Sequence, residues 1–208
     1  MTIVVIRHGE TALNRARVVQ PADTPLSDVG QQQAQRLAGR ASGWPVAAVL
    51  CSDLPRARMT AAPMVAALDC ELELTPLLQE RNFGDLRGTP YAELEVDIWA
   101  RDYHPPGGET WEVFEERVAR AWDWVVGRAD EFGRAGRTGH VVVVTHGLVC
   151  RTFAARHWEL PGGAEVPRYW HNTSVSSIAR LAPHRAAELN CAAHLDPSQR
   201  PDGGVSGI

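Results

Sequence analysis

The sequence predicts an α/β fold, a three-layer α/β/α sandwich around a mostly parallel central sheet. Three observations carry that expectation. Ile3-Val4-Val5-Ile6 and Val141-Val142-Val143-Val144 are unbroken β-branched runs, as strands buried on both faces require. Segments with helically spaced apolar residues alternate with further short apolar runs, the pattern of βαβ units. Both runs also end in polar residues and a glycine, Arg7-His8-Gly9 and Thr145-His146-Gly147. The carboxyl ends of parallel strands are where open α/β sheets bind ligands.

Taken in order, the first strand is followed by a polar stretch, Thr11 to Thr24, read as a loop or short irregular helix. Pro25-Leu26-Ser27-Asp28 opens a helix that Ser27 or Asp28 can cap. Val29, Ala34, Leu37 and Ala38 form its inward stripe, and Gly43 with Pro45 ends it. Val46 to Cys51 is a second strand. Ser52-Asp53-Leu54-Pro55-Arg56 caps the next helix, with Pro55 in the first turn and Pro63 expected to kink it. Glu71 to Leu74 predicts a short third strand, and Leu77 to Gly88 a loop. A helix is expected from Tyr91 to about Arg101, ended by His104-Pro105-Pro106-Gly107-Gly108. The longest helix spans about Glu109 to Phe132, with Trp111, Phe114, Val118, Ala121, Trp122 and Val125 as its apolar stripe. After the strand at 141–144 come a helix from about Val149 to Trp158 and strands at Thr173–Leu181 and Glu188–Leu195.

Size and composition narrow the class. The 208 residues suit one domain, 1–195, with a loose Pro/Gly/Ser-rich tail over 196–208. A net charge of −4 gives no reason to expect nucleic acid or a membrane surface as partner. No apolar run approaches the roughly 20 residues of a membrane span. The four cysteines, Cys51, Cys70, Cys150 and Cys191, are widely spaced and read as small core residues in a reducing compartment. The expectation is a cytoplasmic protein. Basic charge is carried by arginine, which suits bidentate binding of carboxylate or phosphate, although a GC-rich genome accounts for the bulk of it.

Arg7, His8, Arg56 and His146 each follow a strand or open the helix after one, so all four belong at one edge of the sheet. Arg56 also lies in a first helical turn, where free N–H groups favour an anion. Two guanidiniums, two imidazoles and a helix N-terminus make a dianion pocket, and phosphate offers enough oxygens for several bidentate partners. A neutral imidazole can attack phosphorus and form a phosphohistidine that water then hydrolyses, while arginines balance charge on the equatorial oxygens. With an unperturbed pKa of ~6.5, one histidine can serve as neutral nucleophile and the other as cationic stabiliser. The leaving alkoxide needs a proton from a carboxylic acid of raised pKa. Glu80 is the first candidate, and Glu109, after Gly107-Gly108, the second.

The motifs RHGE at 7–10, SDLPRA at 52–57, LQERNFG at 78–84 and THG at 145–147 resemble the histidine phosphatase superfamily, the phosphoglycerate-mutase-like family. The likeness runs from residue 2 to about 181, with the motifs in the family's order. It implies a phosphoglycerate-mutase-like sandwich forming one histidine-phosphatase-like catalytic domain. It also implies that His8 accepts the phosphoryl group, that Arg7 and Arg56 bind it, that His146 stabilises it and that Glu80 donates the proton. Asn14 matches a polar residue lining the pocket, and Gly147 or Leu148 a backbone N–H donor. PLSDVG at 25–30, GGET at 107–110 and, more weakly, NTSVS at 172–176 also match.

Departures from the pattern bear on activity. Leu13 and Pro21 stand where sugar-phosphate mutases often carry Trp and Gly, Leu148 replaces a common glycine, and the segment between Glu80 and His146 is compact. These favour a phosphatase acting on a small phosphorylated metabolite, with a phosphoglycerate-type mutase or an idle phospho-ligand-binding member as alternatives. No cofactor is expected, and no HxH, HExxH or Cys/His spacing suggests a metal. His104, His157, His171, His184 and His194 read as structural or surface, and Arg58 as surface. Arg15, Arg17 and Arg87 read as solvated surface, with contact to a substrate's distal end as the alternative, while Arg101 and Arg151 suit either role. Substrate identity stays open, as does a homodimer, for which the Trp-rich 99–124 region offers either an interface or core.

Overall fold

In a computed structural model describing residues 1–199, the sheet is built outward from β1 (Thr2–Arg7). Its neighbours are β4 (His140–Thr145), parallel, and β5 (Val175–Ala179), antiparallel. Beyond β4 lie β2 (Val46–Ser52) and β3 (Leu72–Thr75), both parallel; beyond β5 lies β6 (Ala186–Cys191), antiparallel to it. The order β3-β2-β4-β1-β5-β6 therefore has four parallel strands and a C-terminal hairpin on one edge.

The period of two in a strand explains the three layers. Ile3 and Val5 of β1, with Val141 and Val143 of β4, face α4 (Trp111–Arg134) and α5 (Gly147–Arg156) through Phe114, Trp122 and Phe153. After a short α1 (Ala12–Ala16), Val4 and Ile6, with Val142 and Val144, face α2 (Asp28–Ala41) and α3 (Pro55–Leu68) through Leu37, Ala61 and Met64. A run in which every residue is apolar is thus needed because both faces are covered. Trp111 and Trp122 are buried, so the apolar stripe of α4 is core. Cys51 and Cys150 are buried as well, their thiols pushed up by burial, that of Cys51 to about 12.

Several expectations are corrected. The helix expected over Tyr91–Arg101 is a single 3-10 turn, Tyr91–Glu93, followed by irregular turns. Asp97 Oδ1 accepts from the Trp99 N–H at 2.9 Å, and the carbonyls of Ile98 and Ala100 accept from Arg81 and Trp111 side chains. Side chains have taken the groups that a helix would pair internally. Ser52 and Asp53 do not cap α3, whose N-cap is Leu54 without a side-chain bond. Ser52 instead meets His146, and Asp53 accepts from Gln79 at 2.7 Å. α3 continues unbroken through Pro63, and α5 starts at Gly147, two residues early. Of the loose tail, 196–199 carry a 3-10 turn, Pro197–Gln199, and an Arg36–Asp196 ion pair to α2, with Leu195 buried just before; residues 200–208 lie outside the described part. Among the described residues no helix is long and apolar enough to cross a membrane.

Candidate active site

The sequence places Arg7 and His8 at the end of β1, and the fold clamps their backbone from three sides. The His8 N–H donates to Thr145 O at 2.9 Å, at the end of β4. The Gly9 N–H donates to Thr60 Oγ1 of α3 at 2.9 Å. From the loop before β5, Asn172 Nδ2 donates to His8 O at 3.0 Å and the Thr173 N–H to Arg7 O at 3.0 Å. Glycine after the histidine has a steric reason: a Cβ on Gly9 would sit 2.8 Å from Gly30 O, and one on Gly30 only 2.0 Å from Glu10 O. The turn out of β1 packs directly on the first turn of α2, which Ser27 caps through the Gly30 N–H.

Four of the residues expected at this edge converge. The rings of His8 and His146 lie 5.0 Å apart, tilted at 57°. His8 Nδ1 is 2.7 Å from Gly9 O, a carbonyl that can only accept, so Nδ1 carries the proton and Nε2 the lone pair. His146, the N-cap of α5, places Nε2 2.8 Å from Ser52 Oγ, while its buried Nδ1 has no protein partner. Burial, then the guanidiniums of Arg56 and Arg7, hold the His8 pKa well below its usual value; burial, Arg56, His8 and Arg7 do the same for His146. In the ligand-free pocket these effects favour the neutral form of both imidazoles. A neutral His146 still donates through Nδ1–H when the Ser52 hydroxyl donates to Nε2.

Arg7 and Arg56 are both buried. Arg7 Nη1 donates to Trp170 O, and its Cζ lies 5.8 Å from the Tyr169 ring centroid. Arg56 donates to Pro21 O at 3.3 Å, while its Nε has no protein partner. Burial lowers the Arg56 guanidinium to about 10, offset in part by Glu80. A buried cation short of hydrogen bonds is costly by itself and favours an anion beside it.

Glu80 faces this cluster. Its Oε1 accepts from the Arg81 N–H at 3.0 Å and its Oε2 from the Leu148 N–H at 3.2 Å. Burial raises its pKa against the pull of those N–H groups and of Arg56 and Arg7, as a proton donor needs. The Leu148 N–H is therefore engaged by Glu80, which corrects its expected role as a phosphate donor. Gly147 lines the adjoining cavity. Asn14 is buried but serves a capping box: its N–H donates to Thr11 Oγ1 and its Oδ1 accepts from the Thr11 N–H.

Glu109, the second acid candidate, is corrected. Its carboxylate takes Arg117 side-on, both contacts at 2.8 Å, and accepts from the Asn82 N–H at 2.9 Å. Against the desolvation of burial, these bonds hold its pKa below the usual range, the opposite of a proton donor. The same Arg117 donates to the carbonyls of Leu77, Gln79 and Glu80. All five guanidinium hydrogens are thereby matched, and the loop bearing Glu80 is pinned to α4. Arg81 adds a second pin through Glu109 O, Ile98 O and Tyr103 O, with Trp111 stacked 4.1 Å from its Cζ.

Sequence reasoning missed Ser52, Arg117, Arg81 and Asn172. Ser52 opens the SDLPRA motif and Arg81 follows Glu80, so both carried a signal. Asn172 begins the weakly matching NTSVS. Nothing in the sequence distinguishes Arg117 from its surface neighbours on α4. Among the described residues no group of three or more His, Cys, Asp or Glu side chains is placed to hold a metal ion. A cavity of about 480 Å³ opens beside Arg7, Gly147 and Leu148, and a narrow cleft reaches Arg56 and Glu80, with Tyr91 lining both.

Two imidazoles of lowered pKa, two buried guanidiniums and a carboxyl of raised pKa at the carboxyl edge of a parallel sheet define a phosphoryl-transfer site of the α/β class. Comparison with known proteins makes this specific. The profile of the histidine phosphatase superfamily (branch 1) matches residues 3–189, and the chain belongs to that family. It is 30% identical over 188 residues to "Probable phosphoglycerate mutase GpmB" of Escherichia fergusonii, covering 86% of this chain and 84% of that one. It is 39% identical over 126 residues to "Fructose-2,6-bisphosphatase TIGAR B" of Danio rerio, covering 55% and 49%. Among solved structures, Bacillus stearothermophilus YhfR superposes with a TM-score of 0.77 at 27% identity, over 93% of this chain and 98% of that one.

Proposed function

We propose that this histidine phosphatase superfamily member hydrolyses a small phosphomonoester through phosphorylated His8, without a metal or other cofactor. The observation that carries the reading is the fixed tautomer of His8. With Nδ1–H committed to Gly9 O, the lone pair on Nε2 stands among Arg7, Arg56 and His146. In the first step Nε2 attacks phosphorus, the P–O ester bond breaks, and the departing alkoxide takes the proton of Glu80. In the second, water attacks the phosphohistidine, Glu80 recovers a proton from that water, and the P–N bond breaks to release inorganic phosphate. Arg7, Arg56 and the Nδ1–H of His146 hold the equatorial oxygens throughout. A named bisphosphatase among the relatives supports hydrolysis. The partner in this reading is a small phosphorylated metabolite and the setting cytoplasmic.

A mutase is the second reading, favoured by the relative named as a phosphoglycerate mutase. Incubation with 3-phosphoglycerate and a priming bisphosphate, following free phosphate beside isomer formation, separates the two. Phosphate release should dominate; isomerisation far outpacing it would establish the mutase. Turnover should persist in a chelator, and loss restored by added metal would refute the cofactor-free mechanism.

A further inference from the structure

The cavity beside Arg7 bears on what carries the phosphate in. Arg7 lines it and His8 does not, and it lies between the irregular 91–100 segment and the loop holding Tyr169. At about 480 Å³ it is within the range of small-molecule sites, and a three-carbon alcohol leaves most of it filled with water. One wall is apolar: Leu94, Val96 and Trp99 line it, with Val96 46% and Trp99 40% exposed. Trp99 is nonetheless held, edge-on to Phe83 at 5.9 Å and to Tyr91 at 6.3 Å between centroids. Exposed large apolar groups clustered on a cavity wall mark a binding surface. A rigid aromatic contributes there at little cost in entropy.

Charge marks the rest of the cavity. Among the described residues nine arginines pair with carboxylates. Arg17, Arg151 and Arg168, which line this cavity, form no ion pair among the described residues. Asp97 is the one carboxylate on the lining, so the field there is positive.

We propose that the cavity holds the alcohol of the substrate, and that this alcohol has an apolar, ring-sized body ending in a second anionic group. The inference rests on the phosphatase reading, since it assumes that the ester oxygen points from His8 towards this cavity. The body lies against Trp99 and Val96, and the anionic end meets Arg151 and Arg168.

The test compares esters of matched leaving-group chemistry: propyl phosphate, 3-phenylpropyl phosphate and 3-(4-carboxyphenyl)propyl phosphate. Burying the phenyl ring should raise kcat/KM at least about tenfold over the propyl ester. The carboxylate should add roughly threefold to tenfold at low salt, less as salt rises. Trp99→Ala should collapse the first ratio, and Arg151→Gln with Arg168→Gln the second. Equal kcat/KM for propyl and phenylpropyl esters would overturn the apolar site, and a carboxylate without effect would overturn the anionic one. Either result leaves the phosphatase reading intact if phosphate is released. Failure to release phosphate from any ester would refute the phosphatase reading instead. The affinities of the corresponding phosphonates, measured by calorimetry, would then read the same two ratios without turnover.

Discussion

Two walls of one site differ in how they are built. The strand-end wall, with Arg7, His8 and His146, is fixed by main-chain bonds and by strands buried on both faces. The opposite wall, from Gln79 to Glu109, has 3-10 turns and no extended strand or α-helix, and scattered main-chain bonds and two arginine side chains, Arg81 and Arg117, hold it. Chemistry that must hold a phosphorus atom in place is carried on the rigid wall, while the apolar surface proposed for the alcohol, Leu94, Val96 and Trp99, lies on the irregular one. The exception is Glu80: it belongs to the irregular wall and must still reach the reacting oxygen. Arg117 resolves that conflict by binding the carbonyls on either side of it.

Breaking the rigid wall should have the largest effect. His8→Ala is expected to lower kcat by about 10⁴-fold or more and to abolish acid-labile phosphoenzyme, with circular dichroism unchanged. Glu80→Gln keeps the shape and one of the two accepted hydrogen bonds but cannot deliver a proton. It should cost about 10²–10⁴-fold on alkyl esters and much less on a p-nitrophenyl ester, whose leaving group needs no proton. An equal loss on both would refute the assignment of Glu80 as acid.

Next comes the pin between the walls. Arg117→Met leaves the half-buried Glu109 without its cation, which should cost about 1–3 kcal/mol of stability by denaturant melts. The Arg117→Met, Glu109→Leu pair should recover much of that stability but not kcat, because Glu80 stays unpositioned. Recovery of both would make the pin merely structural.

The smallest effect is on pH. His8 and His146 have pKa values lowered in the folded state. The unfolded chain therefore takes up protons below about pH 6.5 while the fold does not. Stability contributed by these groups is present above that pH and lost as pH falls towards their folded values. Thermal melts should show a lower Tm at pH 5 than at pH 7.5, with His146→Asn narrowing the gap. In catalysis, kcat/KM should fall as pH rises through the elevated pKa of Glu80, and Glu80→Gln should remove that limb.

The same contrast decides what the sequence could reveal. The strands were legible because covering both faces demands β-branched residues at every position, and the site because Arg7, His8, Arg56 and His146 sit where strand ends meet helix starts. The Tyr91–Arg101 segment was misread because its apolar spacing suits a helix, whereas its carbonyls are taken by Arg81 and Trp111 from elsewhere in the chain. Glu109 stands as second acid candidate in the sequence because a carboxylate after two glycines looks available. Only the fold shows Arg117 one helical face away. Tertiary partners of this kind leave no local pattern to read.

The central claim is that His8 Nε2 takes the phosphoryl group. Rapid quenching of the wild-type protein with a turned-over phosphate ester, followed by peptide mapping under alkaline conditions and ³¹P NMR, tests it most directly. The account predicts a transient, acid-labile phosphohistidine on the peptide containing His8, attached at Nε2. Turnover with no such species, or with the phosphoryl group on His146 or on Nδ1 of His8, would contradict it.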